Sequence, residues 1–193
     1  MPPSAVTSMI QILHVLCPVD FSDVSRRALD HAIAVARWYG AHLSVTYVHH
    51  APLAALALTS LPMSATMEGA FLSSGDRERW KRQLEAFMPA RAATTVPVDL
   101  YVAEGNAASK IIEQAESADM LVIGTHGRSG YEHALLGSVA EKVVRRASCP
   151  VLTIPPAAAG APAVPALFNH IVAAVDSSRT SLHALAYAVS LAR

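Results

Sequence analysis

Short apolar runs alternate along this chain with stretches whose apolar residues recur every three or four positions, and that alternation sets the expected elements. Ile12-Leu13-His14-Val15-Leu16-Cys17-Pro18-Val19 reads as a first strand, ended by Asp20. Pro18 has no N–H to give a ladder, so regular pairing should finish about there. Ser22 offers an N-cap to a helix striped by Ala28, Leu29, Ala32, Ile33 and Ala36, and Gly40 offers its stop. Leu43 to Val48 forms the second strand, followed by His49-His50. Ala51 to Ser74 has no period and is too long for a tight connection, which predicts a mobile or variable insert. Asp76 to Met88 regains helical spacing, with Trp80, Leu84, Phe87 and Met88 inward. Val98 to Val102 alternates as a third strand, at an edge, and Glu104-Gly105-Asn106 turns into a helix striped by Ala108, Ile111, Ile112 and Ala115. Met120 to Ile123 is a buried strand, Val139 to Ala147 a helix, and Val151 to Ile154 a fifth strand. Strands that alternate with helices predict right-handed crossovers and a parallel sheet, an α/β fold.

Past the fifth strand the pattern breaks and then restarts. The chain divides into a first domain over 10–155, an alanine–proline linker over 156–167, and a partial repeat over 168–193. Aligning His14–Arg37 with His170–Arg193 gives ten identities over 24 positions, among them Asp20/Asp176, Ser22/Ser178 and Ser25/Ser181. Chance in so alanine-rich a chain would give roughly two. The final segment is therefore a second copy of the first strand and helix, and such a unit cannot bury its own apolar faces.

Composition narrows the function classes. The chain has 193 residues, with Lys+Arg and Asp+Glu both at 15, so no basic field invites nucleic acid or an anionic membrane. Only two cysteines occur, Cys17 and Cys149, which read as buried free thiols of a reducing compartment. Met1 to Met9 lacks the basic start and apolar core of a signal peptide, and no apolar run is long enough to span a bilayer. The expectation is a cytoplasmic protein.

The chemistry concentrates after the fourth strand, in Gly124-Thr125-His126-Gly127-Arg128-Ser129-Gly130, continuing to Gly137-Ser138. Glycines between a strand's carboxyl end and a helix's amino end read either as a flexible turn or as a phosphate cradle. For the cradle, they would supply positive φ and let a phosphate reach backbone N–H groups, with Ser138 capping the helix. The spacing is neither G-x-G-x-x-G nor a P-loop; it is Gly-x2-Gly-x9-Gly-Ser over Gly124, Gly127, Gly137 and Ser138. That spacing, with Ala118-Asp119-Met120-Leu121-Val122-Ile123-Gly124-Thr125-His126-Gly127 before it and Ser148-Cys149-Pro150-Val151-Leu152-Thr153-Ile154-Pro155 after it, resembles the nucleotide-binding branch of the universal stress protein family. The likeness runs from about Ile12 to Pro155.

The resemblance implies a Rossmann-like, adenine nucleotide alpha hydrolase-like three-layer sandwich whose five-stranded parallel sheet has order 3-2-1-4-5. It implies a switch point between the first and fourth strands, where Asp20 would face the glycine loop. It implies ATP, or AMP or ADP, as ligand, with Mg²⁺ arriving on the phosphates and keeping mostly water ligands. Pro18, Val19, Asp20 and Val48 would hold adenine and ribose; Gly124, Gly127, Arg128, Gly137, Ser138 and Val139 would hold phosphate. As bare residues, Pro18, Val19 and Val48 read as core, Asp20 equally as an Asx-turn, and Arg128 equally as a solvated loop residue. Where the family often has Gly-x-Pro after the third strand, this chain has Gly105-Asn106-Ala107, which puts contacts by Ala103, Glu104 or Gly105 in doubt.

His49, His50, His126 and His133 carry no metal-site spacing such as C-x2-C or H-E-x-x-H. No catalytic aspartate–asparagine pair or activated nucleophile accompanies Asp20, so the residues suggest at most slow ATP hydrolysis. Two readings remain: a nucleotide-dependent stress-response switch or interaction module, and a nucleotide-independent dimerising protein with a vestigial phosphate loop. A homodimer would form through the fifth strand or through the C-terminal repeat.

Overall fold

The structure is a computed structural model that describes residues 10–49, 74–90, 92, 95–126, 136–157, 168, 170–176 and 178–192. The expected insert, apart from Ser74 at the start of the second helix, and most of the linker lie outside these residues. Five parallel strands form one sheet: β1 (His14–Val19), β2 (His42–His49), β3 (Val98–Glu104), β4 (Met120–Gly124) and β5 (Val151–Ile154). Their order is β3-β2-β1-β4-β5. The described helices are α1 (Asp23–Tyr39), α2 (Ser74–Phe87), α3 (Ala107–Ala115), α4 (Ser138–Arg146) and α5 (Arg179–Leu191).

The period-two rule sorts each strand between two cores. Val15, Cys17 and Val19 of β1 face α1 and α2, with Leu43, Val45 and Tyr47 of β2 and Val122 of β4. Leu16, Leu121 and Ile123 face the other way, onto Ile111 and Ala115 of α3 and Ala140 and Val143 of α4. The result is a three-layer α/β sandwich with helices on both faces.

The α1 boundaries follow from local chemistry. Ser22 Oγ accepts from Ser25 N at 3.2 Å, and Gly40 at φ 66° closes the other end in the left-handed region. The third strand runs two residues beyond the alternating stretch, to Glu104, because β2 continues pairing to His49↔Glu104.

β1 is tied at its start and released at its end. Asp119 Oδ2 accepts from Leu13 N at 2.8 Å and His14 N at 2.9 Å, and Asp119 N donates back to His14 O. Pairing with β4 covers only Val15↔Met120 and Leu16↔Leu121, whereas pairing with β2 runs on to Val19↔Tyr47. The interruption expected near Pro18 therefore occurs on the β4 side alone. Beyond Leu16 the two strands part, at the point where the sheet order reverses.

The second copy of the first strand does not join the sheet. Residues 170–176 hold no strand, while α5 forms and rests against α1 through Trp38 Nε1 to Ser190 O (3.3 Å) and Tyr39 OH with Ser190 Oγ (2.6 Å).

Candidate functional site

The parting of β1 and β4 opens a cavity of about 280 Å³ at the carboxyl edge of the sheet. β1 and its end contribute Pro18, Val19 and Asp20; β2 contributes Thr46 and Val48. Ala107 and Ile111 of α3 form one wall, and Ile123 to His126 follow from β4. Gly137, Ser138, Val139 and Ala140 bring the start of α4 to the same space. Of the residues expected to hold a nucleotide, Pro18, Val19, Asp20, Val48, Gly124, Gly137, Ser138 and Val139 thus line one cavity. Gly127 and Arg128 lie outside the described residues. Ser25, Thr46, Ala107 and Ile111 line it without having been singled out by the sequence.

Asp20 makes the Asx-turn that was one of its two readings. Its Oδ1 accepts from Ser22 N at 3.1 Å and Ser22 Oγ at 2.6 Å, which fixes the carboxylate at the cavity rim. The next residue, Phe21, is the one non-glycine residue at positive φ (65°) among those described. That backbone state is uncommon for a bulky side chain. It is held by packing: the Phe21 ring lies 4.6 Å from Tyr47, 5.3 Å from Phe87 and 6.2 Å from Trp80, centroid to centroid.

Two glycine assignments change their physical reason. Gly124 does not take a positive φ; a Cβ there would come within 3.0 Å of Val24 Cγ1 and 3.3 Å of the Val24 carbonyl carbon. It is glycine because the start of α1 packs on the end of β4. Gly137 also stays at negative φ (−69°) and is itself the N-cap of α4. Ser138 is therefore the first helical residue and not the cap, and among the described residues no side chain caps this helix. By contrast, Ser22, Asn106 and Ser178 side chains cap α1, α3 and α5. Gly137, Ser138, Val139 and Ala140, at the helix end that carries partial positive charge, line the cavity. Gly137 N donates to Thr125 O at 2.6 Å, and Thr125 N to Ile154 O at 2.9 Å, which ties the start of α4 to the ends of β4 and β5.

The β3 end is organised differently from the cavity. Gly105, at φ 125°, donates to His49 O, and Asn106 Oδ1 accepts from Ser109 N at 3.1 Å. Ala103, Glu104 and Gly105 do not line the cavity. His126 does, whereas His49 packs against Trp80 with ring centroids 5.4 Å apart. Among the described residues, no three His, Cys, Asp or Glu side chains are grouped to hold a metal ion. Burial drives the Cys17 thiol far above its ordinary range, and burial also raises Cys149, so both stay thiols near neutrality. No helix among the described residues is long and apolar enough to cross a membrane.

A family model described as the universal stress protein family matches residues 12–155. Universal stress protein MJ0531 of Methanocaldococcus jannaschii is 34% identical over 142 residues, covering 72% of this chain and 80% of that protein. Universal stress protein UspA of Lactobacillus plantarum superposes with a TM-score of 0.56 at 24% identity, covering 75% of this chain and 99% of the other. A universal stress protein of Archaeoglobus fulgidus, in complex with dAMP, superposes with a TM-score of 0.50 at 24% identity, covering 76% and 99%. With this sheet order and a match that takes in every strand of the sheet, the chain belongs to the universal stress protein family.

Proposed function

We propose that this chain binds ATP, or AMP or ADP, in the β1–β4 crevice and acts in the cytoplasm as a nucleotide-dependent stress-response switch or interaction module. The observation that carries the reading is the α4 terminus: its N-cap is a glycine that makes no side-chain cap bond, and its first residues line the same cavity as Asp20. A helix amino end favours a phosphate through unpaired N–H groups and its dipole. Around the crevice, Pro18, Val48 and Ile111 offer an apolar slot for a flat base, and the strand-end carboxylate of Asp20 can accept from a ribose hydroxyl. Gly124, Gly137, Ser138 and Val139 sit where the phosphates would follow, and Gly127 and Arg128, which lie between them in sequence, complete the proposed phosphate set. The cavity is near the lower end of the usual range of about 300–1,000 Å³ for small-molecule sites. That volume suits the nucleoside end, with the phosphates extending towards the start of α4. The Archaeoglobus fulgidus relative bound to dAMP is a case of an adenylate on this fold.

Mg²⁺, where present, would ride on the phosphates with water as its other ligands. Turnover beyond slow hydrolysis is not part of the reading, because Asp20 is engaged with Ser22 and both cysteines are held as thiols. The test is thermal unfolding against AMP, ADP and ATP, with and without Mg²⁺. At about 100-fold Kd, a ligand of the folded state should add about 2.7 kcal/mol. No shift with any of the three at millimolar concentration overturns it.

A second reading, homodimerisation independent of nucleotide, rests on different residues. β5 is an edge strand, and Val172, Val175, Leu182, Leu185 and Val189 in the C-terminal segment are exposed. Sedimentation with and without nucleotide separates the two: a dimer that persists unchanged while the Gly137→Val variant behaves as wild type favours the second.

A further inference from the structure

Phe21 follows Asp20 directly and carries the strained backbone of the cavity rim, at φ 65°. The Asx-turn does not by itself call for a ring at this position. The C-terminal copy has Ser177 there, and Asp176 Oδ1 still accepts from Ser178 N at 3.0 Å, as Asp20 Oδ1 does from Ser22 N at 3.1 Å. What separates the two turns is placement: Asp176 is exposed, whereas Asp20 borders the cavity.

The Phe21 ring does not line the cavity; it packs into the core on the α1–α2 face of the sheet. Its aromatic neighbours are Tyr47 of β2 and Trp80 and Phe87 of α2, and these are themselves held. Tyr47 and Trp80 lie 4.9 Å apart, centroid to centroid. Arg26 of α1 clamps Phe87, its guanidinium 3.8 Å over the ring and Nη1 donating to Phe87 O at 2.9 Å. Tyr47 is also the register partner of Val19, and its neighbour Val48 lines the cavity. The aromatic group therefore braces from behind the two strand ends that form the nucleoside side of the crevice. A bulky residue keeps a left-handed backbone only where its surroundings over-determine it, and such strain gathers where a group must be held in place.

We propose that Phe21 is a positioning residue for the bound nucleoside: its ring, seated among Tyr47, Trp80 and Phe87, fixes the turn that presents the Asp20 carboxylate to a ribose hydroxyl. The inference rests on the nucleotide reading above and adds to it a residue that acts on the ligand through Asp20. A carboxylate contributes to affinity only while it is kept in hydrogen-bond range of its donor.

The experiment measures, by calorimetry, the Kd for AMP and for dideoxy-AMP, which lacks both ribose hydroxyls, on wild type, Phe21→Gly, Asp20→Asn and the double variant. Glycine accepts the positive φ, so the turn can still form, but nothing anchors it. Wild type should bind AMP about tenfold more tightly than dideoxy-AMP. Phe21→Gly should weaken AMP about tenfold while dideoxy-AMP stays within about threefold. The double variant should bind AMP within about threefold of Asp20→Asn alone, because the group that the ring positions is already altered. A ring that served stability only would weaken both nucleotides alike and add in full to Asp20→Asn. Should Phe21→Gly be unfolded by circular dichroism, Phe21→Leu carries the same comparison. Wild type that binds the two nucleotides equally, a variant with unchanged AMP affinity, equal weakening of both, or full additivity overturns the inference while leaving the nucleotide reading in place. Wild type that binds neither overturns that reading and the role of Phe21 with it.

Discussion

Residues 14–39 and 170–192 share the same turn into a helix and lie in opposite surroundings. In the first, Ser22 N donates to Asp20 Oδ1 at 3.1 Å, Ser25 N to Ser22 Oγ at 3.2 Å and Asp20 N to Ser25 Oγ at 3.3 Å. In the second, the corresponding distances for Ser178 N, Ser181 N and Asp176 N are 3.0, 3.1 and 3.3 Å. Burial then separates them. Leu16 and Leu29 are each 1% exposed, whereas their counterparts Val172 and Leu185 are 97% and 37% exposed. A helix cap is a local device, written in the spacing Asp-x-Ser-x-x-Ser, and it forms wherever that spacing occurs. A strand is not local: β1 exists because β2 and β4 flank it, and residues 170–176, with the same polar ending and no flanking strand, remain irregular.

The largest expected difference between the two copies is in their leucines. Leu29→Ala should cost about 2–5 kcal/mol in urea unfolding, because a fully enclosed side chain leaves a cavity. Leu185→Ala should fall within about 0.5 kcal/mol of wild type. Comparable losses would break the contrast and show that the second unit is covered in solution, as a dimer through that face requires.

A smaller effect sharpens it. Ser22→Ala removes the cap of a helix embedded in the core and should lower global stability by about 1 kcal/mol. Ser178→Ala removes an equivalent cap, yet should speed amide exchange in α5 alone, leaving the global midpoint unchanged.

Smallest is a pH effect on the second turn. Hydrogen bonds from Ser178, first its side chain and then its backbone, together with one from the Ser181 side chain, lower Asp176 from 3.8 to about 2. A folded-state value below the unfolded one contributes stability that is complete above about pH 4 and disappears as pH falls through 2. A carboxyl NMR titration of Asp176 should give a midpoint near 2, with α5 fraying in the same window. A midpoint near 4 would mean that the turn is not formed in solution.

The layout of strands and helices was legible in the sequence because periods of two and three-to-four survive in the buried residues. The sheet order was legible only through family resemblance, since no pattern within one strand names its neighbours. Strand-end residues such as Asp20 and Val48, which line the cavity, were singled out because position in a motif marks them. Thr46 was missed: whether a residue borders a cavity depends on what lies across from it, and Ser44 and Thr46 look alike along the chain. Ser138 was misplaced by one position, since Gly137 serves as N-cap without offering a side chain. Gly124 was read for the freedom of its backbone, but the close passage of Val24 explains it, and that neighbour comes from a helix about a hundred residues away in sequence.

The fork between β1 and β4, stapled at one end by Asp119 and unpaired past Leu16, has a thermodynamic corollary. Room at the switch point is built by the protein's own ladder, so a guest need not wedge the sheet apart on arrival. Affinity for whatever enters is then not diminished by an opening step, and association should proceed at a single rate with no slow isomerisation ahead of it.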